Sequence, residues 1–205
     1  MFPPMPELPQ RLPLLVLAGG YSRRMGEDKA RLPWGEVPLL LHVIARLAPL
    51  AAGVVVSARP GQELPPGDYV RVDDRRPGEG PLAGLAEGLV VAGRGGTVPV
   101  AVAACDYPFA DPALYAALLA AAPGAPAAIP ILEGRSHPLA AVWRSDAAGA
   151  CVRSLARGAR RVQAVLDEIG AVEVTVDELE QLDPRRALLN VNDAHALARA
   201  RNDRL

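Results

Sequence analysis

Short apolar runs alternate with helical segments over the first 122 residues of the chain. Each run has four to eight residues and ends at a turn signal, a pattern typical of strands that are buried on both faces. The predicted strands cover 14–17, 53–57, 69–73 and 97–104. The predicted helices, which have apolar residues at helical spacing, cover 39–50, 81–92 and 113–122. This alternation predicts an α/β fold: a three-layer, doubly wound, mainly parallel sheet whose ligand lies beyond the carboxyl ends of the strands.

After residue 122 the pattern is less regular. Two apolar runs, 127–132 and 137–143, flank Glu133-Gly134-Arg135-Ser136, which predicts a hairpin and so an antiparallel addition to the sheet. The remaining predicted elements are a helical region at 147–169 that breaks near Gly158, a strand at 172–176 and a last helix from Asp193.

Composition limits the class of protein. With 205 residues, 50% of them hydrophobic, the chain can bury one sizeable core, and its net charge of -1 argues against a general binder of nucleic acid or membrane surfaces. Cys105 and Cys151 lack the spacing of a metal site and are too few for a disulfide framework. The start MFPPMPELPQ lacks the apolar core of a secretory signal, and the apolar runs are too short to span a bilayer. We therefore expect a cytoplasmic protein that binds neither nucleic acid nor membranes.

The strongest chemical signal follows the first predicted strand, in the stretch LPLLVLAGGYSRRMGEDKARL. Gly19 and Gly20 let backbone amides approach a ligand where a side chain would block it. The hydroxyl and cationic side chains around them are those of Ser22, Arg23, Arg24 and Lys29. Lys29 is the single lysine among the 22 basic residues, which suggests a need for a compact, mobile charge. Backbone donors combined with cations are what a polyphosphate requires.

Two common phosphate loops are excluded by spacing. In a Walker loop a lysine directly follows the last glycine, whereas Gly26 is followed here by Glu27, Asp28 and only then Lys29. The dinucleotide fingerprint Gly-x-Gly-x-x-Gly does not match Gly19-Gly20 with the next glycine at position 26.

The stretch LAGGYSRRMGEDKARLPWGEVPLL resembles the signature loop of the molybdenum cofactor guanylyltransferases, and sugar-phosphate nucleotidyltransferases share a looser version of it. The resemblance implies a Rossmann-like nucleotidyltransferase that transfers GMP from GTP to the phosphate of molybdopterin, releases pyrophosphate and uses Mg²⁺. It also implies that Lys29 and Arg23 act in catalysis. The residues of this stretch that it implies in nucleotide binding are Leu17, Ala18, Gly19, Gly20, Ser22 and Lys29.

Asp106 is the strongest candidate outside the loop. It ends a nearly all-apolar strand, where an unpaired carboxylate is costly unless it faces a cleft and meets a cation. A Mg²⁺ ligand that also contacts triphosphate oxygens fits this position, and a carboxylate that caps the next turn is the alternative. The run ACDYPF resembles the family's metal-binding Cys-Asp-x-Pro segment, which implies a catalytic and nucleotide-binding role for Asp106.

A third candidate segment joins Asp73-Asp74 to the loop Gly80-Pro81-Leu82-Ala83-Gly84. In the resembling family one acidic residue at this place contacts the nucleotide, and the spacing to Gly80 favours Asp74 over Asp73. The small residues from Gly80 onward permit close backbone approach at a helix start. The alternative for the acidic pair is two solvated turn carboxylates.

The acceptor-side candidates are His137, Asn190 and Asn192. His137-Pro138 and Asn190-Val191-Asn192-Asp193 resemble the His-Pro pair and the Asn-x-Asn motif near the pterin substrate of the family. An equally good interpretation is that His137 has a structural role and that the two asparagines cap a helix. One departure is Ser57-Ala58-Arg59, where many family members have an asparagine that contacts the nucleotide, so base selection stays open.

We interpret residues 1–205 as one nucleotidyltransferase domain, with a proline-rich leader at 1–11, a nucleotide-binding half at 12–122 and an acceptor-binding half at 123–205. The resemblance implies GTP and molybdopterin as substrates, and molybdenum-insertion proteins and molybdoenzyme apoproteins as partners. Two alternatives are a related transferase that uses CTP or a sugar or alcohol phosphate, and a non-catalytic nucleotide-binding carrier of the cofactor.

Overall fold

The computed structural model describes residues 11–20, 28–177, 179, 182–191, 196 and 200. The predicted leader up to residue 10, Ser22 and Arg23 of the signature loop, Asn192 and the start of the last predicted helix lie outside these residues. Within the described residues, no helix has both the length and the apolar character needed to cross a membrane.

The described residues contain ten strands and six helices. The strands are β1 (Leu12–Leu17), β2 (Pro33–Trp34), β3 (Val37–Pro38), β4 (Ala51–Ala58), β5 (Val70–Asp73), β6 (Pro99–Ala104), β7 (Ala127–Leu132), β8 (Arg135–Ser136), β9 (Ala140–Arg144) and β10 (Val172–Thr175). The helices are α1 (Leu39–Leu47), α2 (Pro81–Ala92), α3 (Pro112–Ala121), α4 (Ala148–Ala156), α5 (Val162–Ile169) and α6 (Pro184–Ala187). Short 3-10 turns cover Lys29–Arg31, Ala48–Leu50 and Ser145–Ala147.

Eight of the described strands form one mixed sheet in the order β10-β7-β9-β6-β1-β4-β5, with β8 paired to β7. Strand β1 runs parallel to β4 and β6, β4 to β5, and β7 to β10, whereas β9 is antiparallel to both β6 and β7. The mainly parallel α/β sheet and its antiparallel addition are therefore as predicted. In the register, Leu17 lies beside Ser57 on one side and Ala104 on the other, so the ends of three strands open at one edge.

The core is built around β1 and α2. Side chains of β1 from Leu14 to Val16 are fully buried, which explains why this strand reads as a continuous apolar run. Helix α2 packs on β1 and β4, and Gly88 sits so close to Leu15 that an added Cβ would collide with that side chain. Gly84 lies against Ser57 in the same way, with 2.7 Å between the position of an added Cβ and Ser57 Oγ. Glycine thus lets the helix approach the sheet closely at two points.

Several predicted boundaries shift for local reasons. The helix predicted to reach residue 50 ends at Leu47, and the chain tightens into a 3-10 turn because Pro49 has no N–H to continue the helical ladder. The strand predicted at 137–143 begins only at Ala140, because Pro138 cannot donate to a strand ladder. The break near Gly158 is confirmed, and this glycine has φ +79. The two-strand ribbon β2–β3 and helix α6 were not predicted.

Candidate active site

Lys29 and Asp106 meet at the carboxyl edge of the sheet. Lys29 opens a 3-10 turn whose N-cap is Asp28, with Asp28 Oδ1 accepting a hydrogen bond from the amide of Ala30 at 3.0 Å. Asp106 lies two residues beyond the end of β6. The Nζ of Lys29 donates to Asp106 Oδ2 at 3.0 Å, and the two side chains are only 14% and 18% exposed. The structure therefore brings together the two side chains on which the predicted phosphate site depends.

The backbone around Asp106 is fixed from both sides. The amide of Cys105 donates to the carbonyl of Leu17 at 3.0 Å, and the amide of Val191 donates to the carbonyl of Asp106 at 2.9 Å. Asp106 thus joins the end of β1 to the segment that carries the asparagine motif. The sequence placed these segments in three separate motifs, and the structure brings them to one place.

Asp106 also has an unused oxygen. Its Oδ1 is buried and has no hydrogen-bond partner among the described residues. Burying a charged oxygen without a partner is costly, so this atom fits a cation or a ligand donor. Among the described residues no three acidic, histidine or cysteine side chains cluster as a metal site. A single carboxylate with substrate phosphates nevertheless fits Mg²⁺, which commonly binds through one or two carboxylates and keeps other ligands from water and phosphate.

Aromatic packing also joins the segment after Lys29 to the loop after Asp106. Trp34 is fully buried, and its ring lies 5.6 Å from that of Phe109 in an edge-to-face arrangement and 5.4 Å from that of His42. His42 Nε2 is 2.8 Å from the carbonyl oxygen of Pro108. These contacts hold the ribbon that follows Lys29 against the loop that follows Asp106.

Residues 18–20, the described start of the signature loop, directly follow β1 and lie beside the end of β4. Leu17 and Ala18 are buried, and the amide of Ala18 donates to the carbonyl of Ser57 at 2.8 Å. A Cβ added to Gly19 would lie 3.5 Å from the backbone nitrogen of Arg59, whereas Gly20 is exposed with open space around it. Backbone at Gly20 is thus accessible to a ligand.

Asp73 and Asp74 differ in environment although they are adjacent. Asp73 is exposed and pairs with Arg71 on its own strand, with 2.8 Å between Arg71 Nε and Asp73 Oδ1. Asp74 is only 6% exposed, its amide donates to the carbonyl of Ala58 at 2.8 Å, and its Oδ1 accepts from the amide of Arg76 at 2.7 Å. Burial raises the pKa of Asp74 above its usual range, while the Arg76 hydrogen bond opposes this. Asp74 is thus the member of the pair that is hydrogen-bonded to the end of β4, the strand that lies beside the start of the signature loop.

Gly80 is the N-cap of α2 and has φ +82, a backbone conformation that a larger residue would adopt only under strain. No side chain caps this helix, and Pro81 at its first position has no N–H to leave unsatisfied. The remaining first-turn amides of α2 therefore have no side-chain cap, which is the arrangement that an anion can use.

On the other side of Asp106, two polar side chains, those of His137 and Asn190, lie beside Tyr107. The hydroxyl of Tyr107 lies 3.3 Å from Nδ1 of His137, and their rings meet edge to face with centroids 6.2 Å apart. A side-chain hydrogen bond with Asn190 lowers the pKa of the same hydroxyl. Asn190 Oδ1 is buried without a hydrogen-bond partner among the described residues. The structure thus brings the predicted acceptor residues His137 and Asn190 together.

The pKa values of this cluster favour its neutral forms. Burial raises the pKa of Tyr107 to about 12, and the charge of Asp106 contributes in the same direction. Burial lowers the pKa of His137, and the positive charge of Arg135 lowers it further. The lowered pKa favours the neutral ring of His137, which is 6% exposed, near pH 7.

Sequence reasoning missed three residues of this site: Tyr107, Asp28 and Gln62. Tyr107 directly follows Asp106, so its place after a chemical motif was the available signal. Asp28 directly precedes Lys29 and begins a 3-10 turn, which its side chain caps. Gln62 stands outside every motif, and only the fold shows that its side chain reaches Ala18 and Asp28.

Comparison with known proteins shows the family of this chain. The chain matches the model of the MobA-like NTP transferase domain over residues 14–174. It is 39% identical to a probable molybdenum cofactor guanylyltransferase of Mycobacterium avium over 194 residues, which are 91% of this chain and 95% of the relative. It is 37% identical to a relative of the same name in Mycobacterium tuberculosis, over 92% of this chain and 94% of that one.

Solved structures of other proteins share the fold of this chain. Molybdopterin-guanine dinucleotide biosynthesis protein A from Archaeoglobus fulgidus has a TM-score of 0.75 and 25% identity, with 94% of this chain and 98% of that chain covered. The 2-C-methyl-D-erythritol 4-phosphate cytidylyltransferase from Thermus thermophilus shares the fold, with a TM-score of 0.63, 23% identity and coverage of 92% and 100%. Because the domain model covers most of the chain and the relatives align over almost all of it, this chain belongs to the MobA-like NTP transferase family and is a nucleotidyltransferase.

Proposed function

We propose that the protein transfers GMP from GTP to the phosphate of molybdopterin, or of its molybdenum-loaded form, and releases pyrophosphate, forming the guanine dinucleotide of the cofactor. The single observation that carries this proposal is the 3.0 Å contact between Lys29 Nζ and Asp106 Oδ2 at the carboxyl edge of the sheet, in a chain whose relatives are named for guanylyl transfer. A cation and a carboxylate held together at this edge suit a bound metal-nucleotide complex.

The chemistry requires one bond to form and one to break. An oxygen of the acceptor phosphate attacks the α-phosphorus of GTP, and the bond between that phosphorus and the bridging oxygen of the pyrophosphate breaks in line. A phosphate monoester is largely dianionic near pH 7, so no side chain has to remove a proton from it. The protein's task is therefore to position two anions and offset their charge.

Lys29 supplies a compact charge to the triphosphate, and Arg23 is proposed to supply a second one. Asp106 would hold Mg²⁺ through its unpartnered Oδ1. When bound, Mg²⁺ neutralises charge on the triphosphate oxygens. The Lys29 ammonium stays close to the carboxylate in the free protein, which prevents Asp106 from being buried as a lone charge.

The nucleotide is proposed to lie across β1, β4 and the start of α2. Backbone amides of Gly19 and Gly20 face the phosphates, with Ser22 as a further donor, and the free first-turn amides of α2 after Gly80 add a second donor group. Asp74 is the buried carboxylate on this side and is the proposed nucleotide contact of the Asp73–Asp74 pair.

The acceptor is proposed to bind on the side of Tyr107, where His137, Asn190 and Asn192 are the contacts. Asn190 Oδ1 needs a donor, and a pterin ring carries N–H groups that can provide one.

Both cysteines are free and buried, as in proteins of a reducing compartment, so we propose that the reaction takes place in the cytoplasm. The proposed protein partners are molybdenum-insertion proteins and molybdoenzyme apoproteins.

A triphosphate panel tests the proposal. Purified protein is incubated with Mg²⁺ and each of GTP, CTP, ATP and UTP, with and without molybdopterin, and pyrophosphate release and dinucleotide formation are measured. We expect release with GTP only when molybdopterin is present. Release with CTP in preference to GTP, release with a sugar or alcohol phosphate as acceptor, or tight GTP binding with no pyrophosphate under any condition would each overturn it.

A further inference from the structure

The side chain of Gln62 connects the two ends of the signature loop. Its Nε2 donates to the carbonyl of Ala18 at 3.0 Å and to Asp28 Oδ1 at 3.0 Å. Its Oε1 accepts from the amide of Arg59 at 2.9 Å. Gln62 is 6% exposed, so both polar atoms of its amide are committed to the protein. We call these three hydrogen bonds the Gln62 bridge.

The hydrogen bonds define which way the amide of Gln62 points. Oε1 faces a backbone N–H, and Nε2 faces two oxygens, which only an N–H donor can satisfy. A rotated amide would place its oxygen against the oxygens of Ala18 and Asp28. The position thus requires a side chain with one acceptor and two donors, which glutamine provides and glutamate does not.

The turn that presents Gln62 is itself fixed. Arg59-Pro60-Gly61-Gln62 has proline at the second position, Gly61 at φ +71 and a 3.0 Å hydrogen bond from the Gln62 amide to the Arg59 carbonyl, the pattern of a type II turn. Arg71 of β5 donates to the carbonyl oxygens of Arg59 at 3.0 Å and of Gln62 at 2.6 Å. The turn is therefore tied to the sheet by an arginine on the neighbouring strand.

Asp28 connects Gln62 to the turn that begins at Lys29. One carboxylate oxygen of Asp28 accepts from Gln62 and from the amide of Ala30, and the other accepts from Arg59 Nη2 at 2.9 Å. The capped turn begins at Lys29, whose Nζ reaches Asp106. A shift of the Asp28 carboxylate would move the first residue of that turn.

We propose that Gln62 is a positioning residue for nucleotidyl transfer: its bridge sets the distance between the ends of the signature loop, so that Lys29 and the amides of Gly19 and Gly20 converge on one triphosphate. This inference rests on the proposed use of a nucleoside triphosphate. Gln62 contacts neither substrate and acts through Ala18 and Asp28.

Two variants of Gln62 test the role of its Nε2 donor. Gln62→Glu keeps the size but places an oxygen against the oxygens of Ala18 and Asp28, so kcat/KM for GTP at pH 8 is expected to fall about tenfold or more. In Gln62→Glu the new carboxyl lies beside the carboxyl of Asp28, and the pair takes up a proton as the pH falls. This proton restores one donor, so the loss of kcat/KM relative to wild type is expected to shrink toward pH 5.5. Gln62→Met removes the bridge without adding a charge, and its loss is expected to be independent of pH.

The matched control is Glu63→Gln, which changes the charge of the neighbouring, exposed side chain. We expect its kcat/KM to stay within about twofold of wild type, because Glu63 pairs only with exposed Arg31 among the described residues. Wild-type kcat/KM in Gln62→Met, or a Gln62→Glu loss that does not change with pH, would overturn the inference.

A second measurement does not depend on the substrate. Without nucleotide, the amides of Ala30 and Arg31, which donate to the side chain and the carbonyl of Asp28, are expected to exchange hydrogen at least about tenfold faster in both Gln62 variants and at the wild-type rate in Glu63→Gln. Slow exchange in β1 shows that the variants are folded. Faster exchange in the Gln62 variants, together with no GTP binding by wild type, would refute the proposed function but support the Gln62 bridge. Unchanged exchange in both variants would refute the bridge.

Discussion

Lys29 Nζ lies 3.0 Å from Asp106 Oδ2 although 77 residues separate them in the chain. Both side chains are mostly buried, and the carboxylate has a second oxygen that no described residue satisfies. In the free protein the ammonium compensates the carboxylate. A triphosphate with its metal offers each of them an additional partner, which is the basis of the first two predictions.

Replacing Lys29 by alanine is expected to lower turnover by about 10²-fold or more, because a positioned charge on the transferring group is lost. The measurement is pyrophosphate release at saturating GTP and molybdopterin, with far-UV circular dichroism to show that the fold is intact. Arg31→Ala is the matched control, since Arg31 lies in the same turn but its side chain is 57% exposed and pairs with Glu63. Near-normal turnover in Lys29→Ala would refute its phosphate role.

Asp106→Asn tests the proposed metal ligand. The amide keeps the size of the side chain but removes the charge that attracts Mg²⁺, so the Mg²⁺ concentration for half-maximal activity is expected to rise about tenfold or more and turnover to fall. A Mg²⁺ titration of pyrophosphate release measures both. Asp167→Asn, which changes an exposed carboxylate on α5, is the control. A Mg²⁺ titration of Asp106→Asn that overlays the wild-type curve removes Asp106 from the metal site.

The sequence predicted the centre of the sheet and the convergence of Lys29 with Asp106, for a physical reason. Strands β1 and β6 and the second half of β4 are mostly buried, so their apolar runs are visible in the sequence. Parallel strands bring the residues that follow them to one edge of the sheet. The place of β9 between β6 and β7 was not predictable, because its own residues do not specify which neighbours it joins.

Side-chain links between distant loops were also beyond the sequence. The bond of Gln62 to Ala18 spans 44 positions, and that of Tyr107 to His137 spans 30. Gln62 stands outside every motif, and Tyr107 and His137 stand in two separate motifs, so neither segment by itself indicates these pairings. Only the register of the strands, which sets where each loop emerges, brings these pairs into contact.

The His137 imidazole is expected to titrate below about 6.5, because burial and Arg135 disfavour its charged form. Its folded-state pKa lies below its unfolded-state value, so the unfolded chain binds more protons between the two values. The contribution of His137 to stability is therefore complete above about pH 6.5 and is lost as the pH falls through the lowered pKa. Proton NMR titration of the ring gives the pKa directly.

Two variants isolate this effect. Arg135→Gln removes a positive charge and should raise the His137 pKa, while Arg94→Gln, at an exposed position at the end of α2, should leave it unchanged. His137→Gln has no titrating ring, so its stability should fall less than that of wild type on acidification from pH 7 to 5. A His137 pKa at or above 6.5, or no response to Arg135→Gln, contradicts the prediction.

Gly88→Ala tests the close packing of α2 on β1. The added methyl carbon would lie 2.6 Å from Leu15 Cδ2 and 3.0 Å from Leu15 Cγ, both in a fully buried environment. Overpacking of this kind typically costs about 1–3 kcal/mol, against a gain of about 1 kcal/mol from better helix propensity. We therefore expect a net loss in the free energy of unfolding, measured by urea denaturation at constant pH.

Gly149→Ala provides the opposite case in another helix. Gly149 is exposed on α4, and the nearest atom to an added Cβ is Nη1 of Arg153 at 3.4 Å, the flexible end of a long side chain. The same chemical change should here stabilise the protein by roughly 0.5–1 kcal/mol, because the helix gains propensity without a collision. If Gly88→Ala were as stabilising as Gly149→Ala, α2 would have to lie farther from β1 than the structure places it, and the start of α2 at Gly80 would then also lie farther from the edge where Lys29 meets Asp106.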